Sequence, residues 1–127
     1  MMKSIYGRMA LGLILLGGLV NASGCGSTTS TAAGSCTFTT SGLTLCYDYT
    51  GSSYTSTTAQ STCSATTVGS TTGGSYSTAV CTSSNRVGSC AVNSGQATAY
   101  TLRYLTGYTT TTGQTSCTAL SGTFTAN

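Results

Sequence analysis

Two stretches of this chain alternate apolar and polar residues with a period of two. Leu43, Leu45, Tyr47 and Tyr49 alternate with Thr44, Cys46 and Asp48, and Tyr100, Leu102 and Tyr104 alternate with Thr101, Arg103 and Leu105. Each pattern predicts a strand with one buried face. Between and after them lie residues 57–65 and 111–119, which carry Gln, Cys and Ala between a Ser/Thr cap and a Gly stop. These predict two short helices, although Ser and Thr are poor helix interiors. Gly74-Ser75-Tyr76-Ser77 and Gly122-Thr123-Phe124-Thr125 then read as short closing strands. The pattern points to a small α+β fold, mostly antiparallel strand, with one short helix in each of two units.

The units are copies. Tyr54-Thr55-Ser56-Thr57-Thr58-Ala59-Gln60-Ser61-Thr62-Cys63 aligns with Tyr108-Thr109-Thr110-Thr111-Thr112-Gly113-Gln114-Thr115-Ser116-Cys117. Threonine matches mean little in a chain this rich in threonine, but the Tyr, Gln and Cys matches carry weight. With Cys36 and Cys46 set against Cys81 and Cys90, the repeats run over residues 36–80 and 81–127. Each then holds an odd number of cysteines. Full oxidation would require at least one bridge between the copies, and so a single domain spanning 36–127. Pseudo-symmetry favours Cys46–Cys63 and Cys90–Cys117 within the copies and Cys36–Cys81 between them.

The N-terminal segment has a different character. A basic start containing Lys3 and Arg8 precedes an apolar run over residues 9–20 and the small residues Ala22-Ser23-Gly24. That layout is a secretory signal peptide, too short and wrongly flanked for a spanning helix. Ala22-Ser23-Gly24-Cys25 resembles the lipobox of bacterial lipoproteins. The resemblance implies cleavage after residue 24, lipid on Cys25, and a protein held at a membrane, on the outer membrane or the cell surface. Cysteine parity agrees, since the chain has 7 cysteines and setting Cys25 aside leaves six for three bridges. Residues 25–35, Gly/Ser/Thr-rich and without apolar period, read as the lipidated end and a flexible tether.

Composition narrows the chemistry. Ser and Thr make up nearly half of the chain beyond residue 24; Asp48, Arg86 and Arg103 are its only charged side chains, and histidine and proline are absent. A hydroxyl or thiol nucleophile needs an adjacent base, and paired-carboxylate chemistry needs two acids. Neither inventory exists here, so a non-enzyme without cofactor or metal is expected. A near-neutral chain also lacks the basic stripe that nucleic acid requires.

Three non-catalytic roles fit the residues. The first is structural or adhesive display at the cell envelope, with an envelope protein as partner. The second is binding of a glycan or small ligand on tyrosine faces, with Tyr47, Tyr49, Tyr100 and Tyr104 as candidates, because a phenol ring joins a flat apolar face to a polar tip. The third is protease inhibition through Arg86, displayed in the cysteine-bounded segment 81–90. The thin aliphatic set predicts that the tyrosines also fill the core and that the six cysteines Cys36, Cys46, Cys63, Cys81, Cys90 and Cys117 are structural.

Overall fold

The computed structural model describes residues 31–127. The expected leader, Cys25 and most of the tether lie outside them. The domain is a small disulfide-rich α+β fold built from two ββαβ units. In chain order they are β1 (Ser35–Thr40), β2 (Leu43–Tyr49), α1 (Ser56–Ala65), the miniature strands β3 (Thr67–Val68) and β4 (Thr71–Thr72), and β5 (Ser75–Ser77). The second unit follows with β6 (Gly88–Val92), β7 (Tyr100–Tyr104), α2 (Thr110–Ala119) and β8 (Thr123–Ala126). β3 and β4 pair only with each other; the remaining strands form one antiparallel sheet in the order β5-β1-β2-β7-β6-β8.

That order is its own mirror about the β2–β7 seam. Cys36 lies opposite Tyr47 in the first unit and Cys90 opposite Leu102 in the second, so Tyr47 and Leu102 are equivalent positions; across the seam they are also direct partners. This self-pairing is what a pseudo-twofold axis through the seam requires. α1 packs on β1 and β5, and α2 on β6 and β8. The helices thus cover the flanks of one sheet face, and the strip over β2 and β7 is left to side chains.

Helices this rich in threonine form because the hydroxyls bond to the helix itself. Thr55 caps α1 by accepting from the Thr58 amide at 3.2 Å, while Thr58 accepts the Thr55 amide at 2.8 Å. Thr109 and Thr112 repeat this reciprocal cap on α2 at 3.2 and 2.9 Å. Threonine here takes the third-position role that Glu or Gln usually fills. Inside the helices Ser61, Thr62, Ser64, Thr115 and Thr118 donate to the carbonyl four residues back. Each helix needs only two inward residues, Ala59 and Cys63 or Gly113 and Cys117.

The bridges correct the expected pairing. Cys36 joins Cys63 and Cys90 joins Cys117, each across 27 residues with Cα atoms 5.5 Å apart; Cys46 joins Cys81. Of the expected bridges only Cys90–Cys117 forms. Cys36–Cys81 and Cys46–Cys63 do not, because the true equivalents are Cys36 on β1 and Cys90 on β6, each tying its strand to the helix above. Cys46 points to the opposite sheet face, away from α1, and meets Cys81 there. Cys81 belongs to neither unit; it lies in the connector, residues 78–87, that carries the chain from the β5 edge to β6. The tether also ends earlier than expected. Ala33 donates to the Tyr49 carbonyl at 2.8 Å, the Tyr49 amide donates to the Gly34 carbonyl at 3.1 Å, and Ser35 is already buried in β1.

Candidate functional site

Tyrosine rings cover the strip between the helices. Tyr47 stands 5.7 Å from Tyr100 between ring centroids, across the seam, and 5.5 Å edge-on from Phe38. Tyr49 packs on Tyr54 at 4.8 Å and Tyr104 on Tyr108 at 5.0 Å, the same pair in each unit. Tyr49 and Tyr104 are not ligand-facing: they are 2% and 0% exposed and belong to the core. Few aliphatics are available, so Tyr49 joins Phe38 in one core cluster and Tyr104 joins Leu102 in the other. Tyr47 and Tyr100 are half-buried, at the junction of the two core clusters.

Burial makes these phenols reluctant to ionise. Tyr47 is pushed up to about 12, by desolvation first and then by the neighbouring phenols led by Tyr100; Tyr49 reaches about 12 through desolvation and Tyr54. Tyr54, Tyr100, Tyr104 and Tyr108 are raised mainly by the same desolvation. The hydroxyls of Tyr49 and Tyr104 are buried without a hydrogen-bond partner among the described residues.

On the opposite face Asp48 acts as a latch. It is 2% exposed; Oδ2 accepts from Arg103 Nε at 2.9 Å and Oδ1 from the Cys81 amide at 2.7 Å. The pair joins equivalent positions of the two units, and together with Cys46–Cys81 it fastens the connector across the sheet. Both oxygens of the sequence's single acidic side chain are therefore occupied. Arg86 donates to Asn127 Oδ1 at 2.8 Å. The segment carrying it is bounded by two half-cystines that bond elsewhere, Cys81 to Cys46 and Cys90 to Cys117.

A cleft of about 420 Å³ opens at one end of the seam. One wall is the turn after β2, with Thr50, Gly51 and Ser52; the other is the β6–β7 loop, with Ser94, Gln96 and Ala97. Val92, Tyr100 and Thr101 also line it. Backbone bonds fix the walls: Gly51 N–H to Ala99 O at 2.7 Å, Ser53 N–H to Ala97 O at 2.8 Å, and Gln96 N–H to Asn93 O at 2.9 Å. A side chain at Gly51 would collide with the Ala97 carbonyl, so the close approach requires glycine. The lining carries no charge. Of the four candidate tyrosines, only Tyr100 lines it, and its loop walls have no apolar period that sequence reasoning could find. No family model, curated protein or solved structure matches this chain.

Proposed function

We propose that this chain is an exported lipoprotein, held at the cell envelope by lipid on Cys25, whose domain binds or displays without catalysis. The observation that carries this reading is cysteine parity. The six cysteines of the domain pair among themselves, four of them with no exposure at all, and Cys25 is the seventh. Three bridges in a domain this size belong to an oxidising compartment, in agreement with a secretory leader. The chain enters the sheet at Ala33, so seven residues, 26–32, separate Cys25 from its first anchor. A tether of that length holds the domain close to the membrane surface.

Non-catalytic action rests on the occupied Asp48, the absence of histidine from the sequence and the raised tyrosines, which stay protonated at neutral pH. The partner is an envelope protein or a neutral glycan. The test is the intact mass of the natively exported protein, extracted in detergent, before and after reduction. The expected mass starts at Cys25, includes diacylglycerol and acyl groups, and rises by the hydrogens of three reduced bridges. A chain beginning at Ser23 without lipid, as cleavage at the small-x-small site Val20-Asn21-Ala22 would give, would overturn the anchor.

A further inference from the structure

The two ends of the seam are equivalent by pseudo-symmetry and differ in one respect. At one end the β1–β2 connection is the two-residue turn Ser41-Gly42, with φ of 49° and 79°, the geometry of a tight hairpin. There Gly107 packs directly on the Gly42 carbonyl. At the other end Gly51 packs on the Ala97 carbonyl in the same way, but the β6–β7 connection runs over residues 93–99. The added chain folds back through Asn93 and Gly95, with φ of 51° and 78°, and walls the cleft. A tight turn would have sufficed to join β6 and β7, as its counterpart shows. The longer loop has the properties of a functional insertion on a rigid scaffold.

We propose that this cleft is the binding site for a neutral saccharide, with Tyr100 as its stacking face. The inference rests on the binding reading above and specifies its ligand. Charge selects the class first: an uncharged lining offers nothing to pair with a phosphate, carboxylate or ammonium group. Surface chemistry selects it second. Thr50, Ser52 and Ser94 bring hydroxyls and Gln96 an amide to the same lining as Tyr100, a combination that matches the hydroxyl rim and apolar face of a pyranose. The volume lies within the roughly 300–1,000 Å³ usual for small-ligand sites. Tyr100 is held for this role by Tyr47 behind it and by its place in β7, while Tyr47, Tyr49 and Tyr104 do not line the cleft.

The experiment is an NMR titration of the full mature chain in detergent micelles with cellotetraose, maltotetraose and chitotetraose. Each is taken to about 10 mM, beyond the weak-binding range of protein–ligand affinities. Galacturonate tetramer and a neutral Gly/Ser peptide are the comparison probes. At least one neutral saccharide should shift the amides of residues 50–52, 94–97 and 100, and Tyr100→Ala should weaken it about tenfold. Tyr100 also supports the core, so Ser52→Leu, at an exposed position on the wall, provides the second variant; it removes a hydroxyl and narrows the cleft without adding a stacking ring, and should weaken the shifts while leaving the rest of the spectrum intact. Saccharide shifts confined to another surface would overturn the cleft while leaving the binding reading standing. No shift with any neutral saccharide, or stronger binding of the charged tetramer or the peptide, would overturn the assignment of ligand. The mass measurement above remains the separate test of the anchor.

Discussion

The two units of the sheet share a plan down to individual atoms and differ in where each has extra chain. Both tie their first strand to their helix by a bridge of 27 residues, both cap the helix with a threonine pair, and both place a buried tyrosine beneath it. The first unit inserts the β3–β4 hairpin between helix and closing strand, where Val68 contributes to both core clusters. The second goes directly from α2 to β8 through Ser121 and Gly122, and has its insertion in the β6–β7 loop instead. One insertion adds to the core and the other lines a cleft. Shared features therefore report what the fold needs, and the unshared loop is the better guide to function.

If the shared bridges hold the fold, removing either should produce the largest effect. Cys36→Ala with Cys63→Ala, or Cys90→Ala with Cys117→Ala, should each cost about 2–5 kcal/mol by urea unfolding. The two losses should be similar, because the loops are of equal length. A large loss from one pair and none from the other would break the equivalence of the units.

Arg103→Met comes next. It leaves the Asp48 carboxylate buried with only the Cys81 amide as donor, and should cost about 3 kcal/mol. Asp48→Asn should cost less, because the amide oxygen still accepts from Cys81 and Arg103 is partly solvated. Equal losses would show that the latch works by shape rather than charge.

Gly74 and Gly122 occupy matching positions before the closing strands, each against a half-cystine. A Cβ at Gly74 would lie 2.5 Å from Cys36 Sγ, and one at Gly122 would press on Cys90 Sγ. Gly74→Ala and Gly122→Ala should each destabilise by about 1–3 kcal/mol through overpacking, read as a fall in thermal midpoint. Should only one be sensitive, the units would differ in how tightly the sheet meets its helix.

The mildest effect is alkaline. Tyr47 and Tyr49 ionise near 12 when folded, against 10.0 for a free phenol. Stability drawn from their neutral burial is full below about pH 10 and declines as pH rises through 12. Tyrosinate absorbance should therefore increase late and in step with loss of near-ultraviolet dichroism. Complete ionisation near pH 10 with the fold intact would contradict their burial.

Much of this fold was legible because its signals are local. The alternation in β2 and β7, the helices after Tyr54 and Tyr108, and the closing Gly-Ser-Tyr-Ser and Gly-Thr-Phe-Thr strands all stand where periodicity and self-alignment put them. β1 and β6 carry an equally regular pattern in Cys36-Thr37-Phe38 and Cys90-Ala91-Val92, but short runs of small residues conceal it. Cys36 is equivalent to Cys90 and not to Cys81, which is why two bridges differ from the expected ones. The equal spacing from Cys36 to Cys63 and from Cys90 to Cys117 was available as the better guide.

The sequence by itself determined the class of fold, the duplication and the composition that leaves one acid and no histidine. Tertiary structure decided which cysteines meet, which tyrosines are core and where a cleft opens. The physical reason is that periodicity records which face of an element is buried, but not which partner buries it. Cys46 and Cys81 meet because a connector crosses the sheet, and Tyr100 differs from Tyr104 because a loop ends beside one and a helix covers the other. Such facts belong to the arrangement of elements, and no window along the chain contains them.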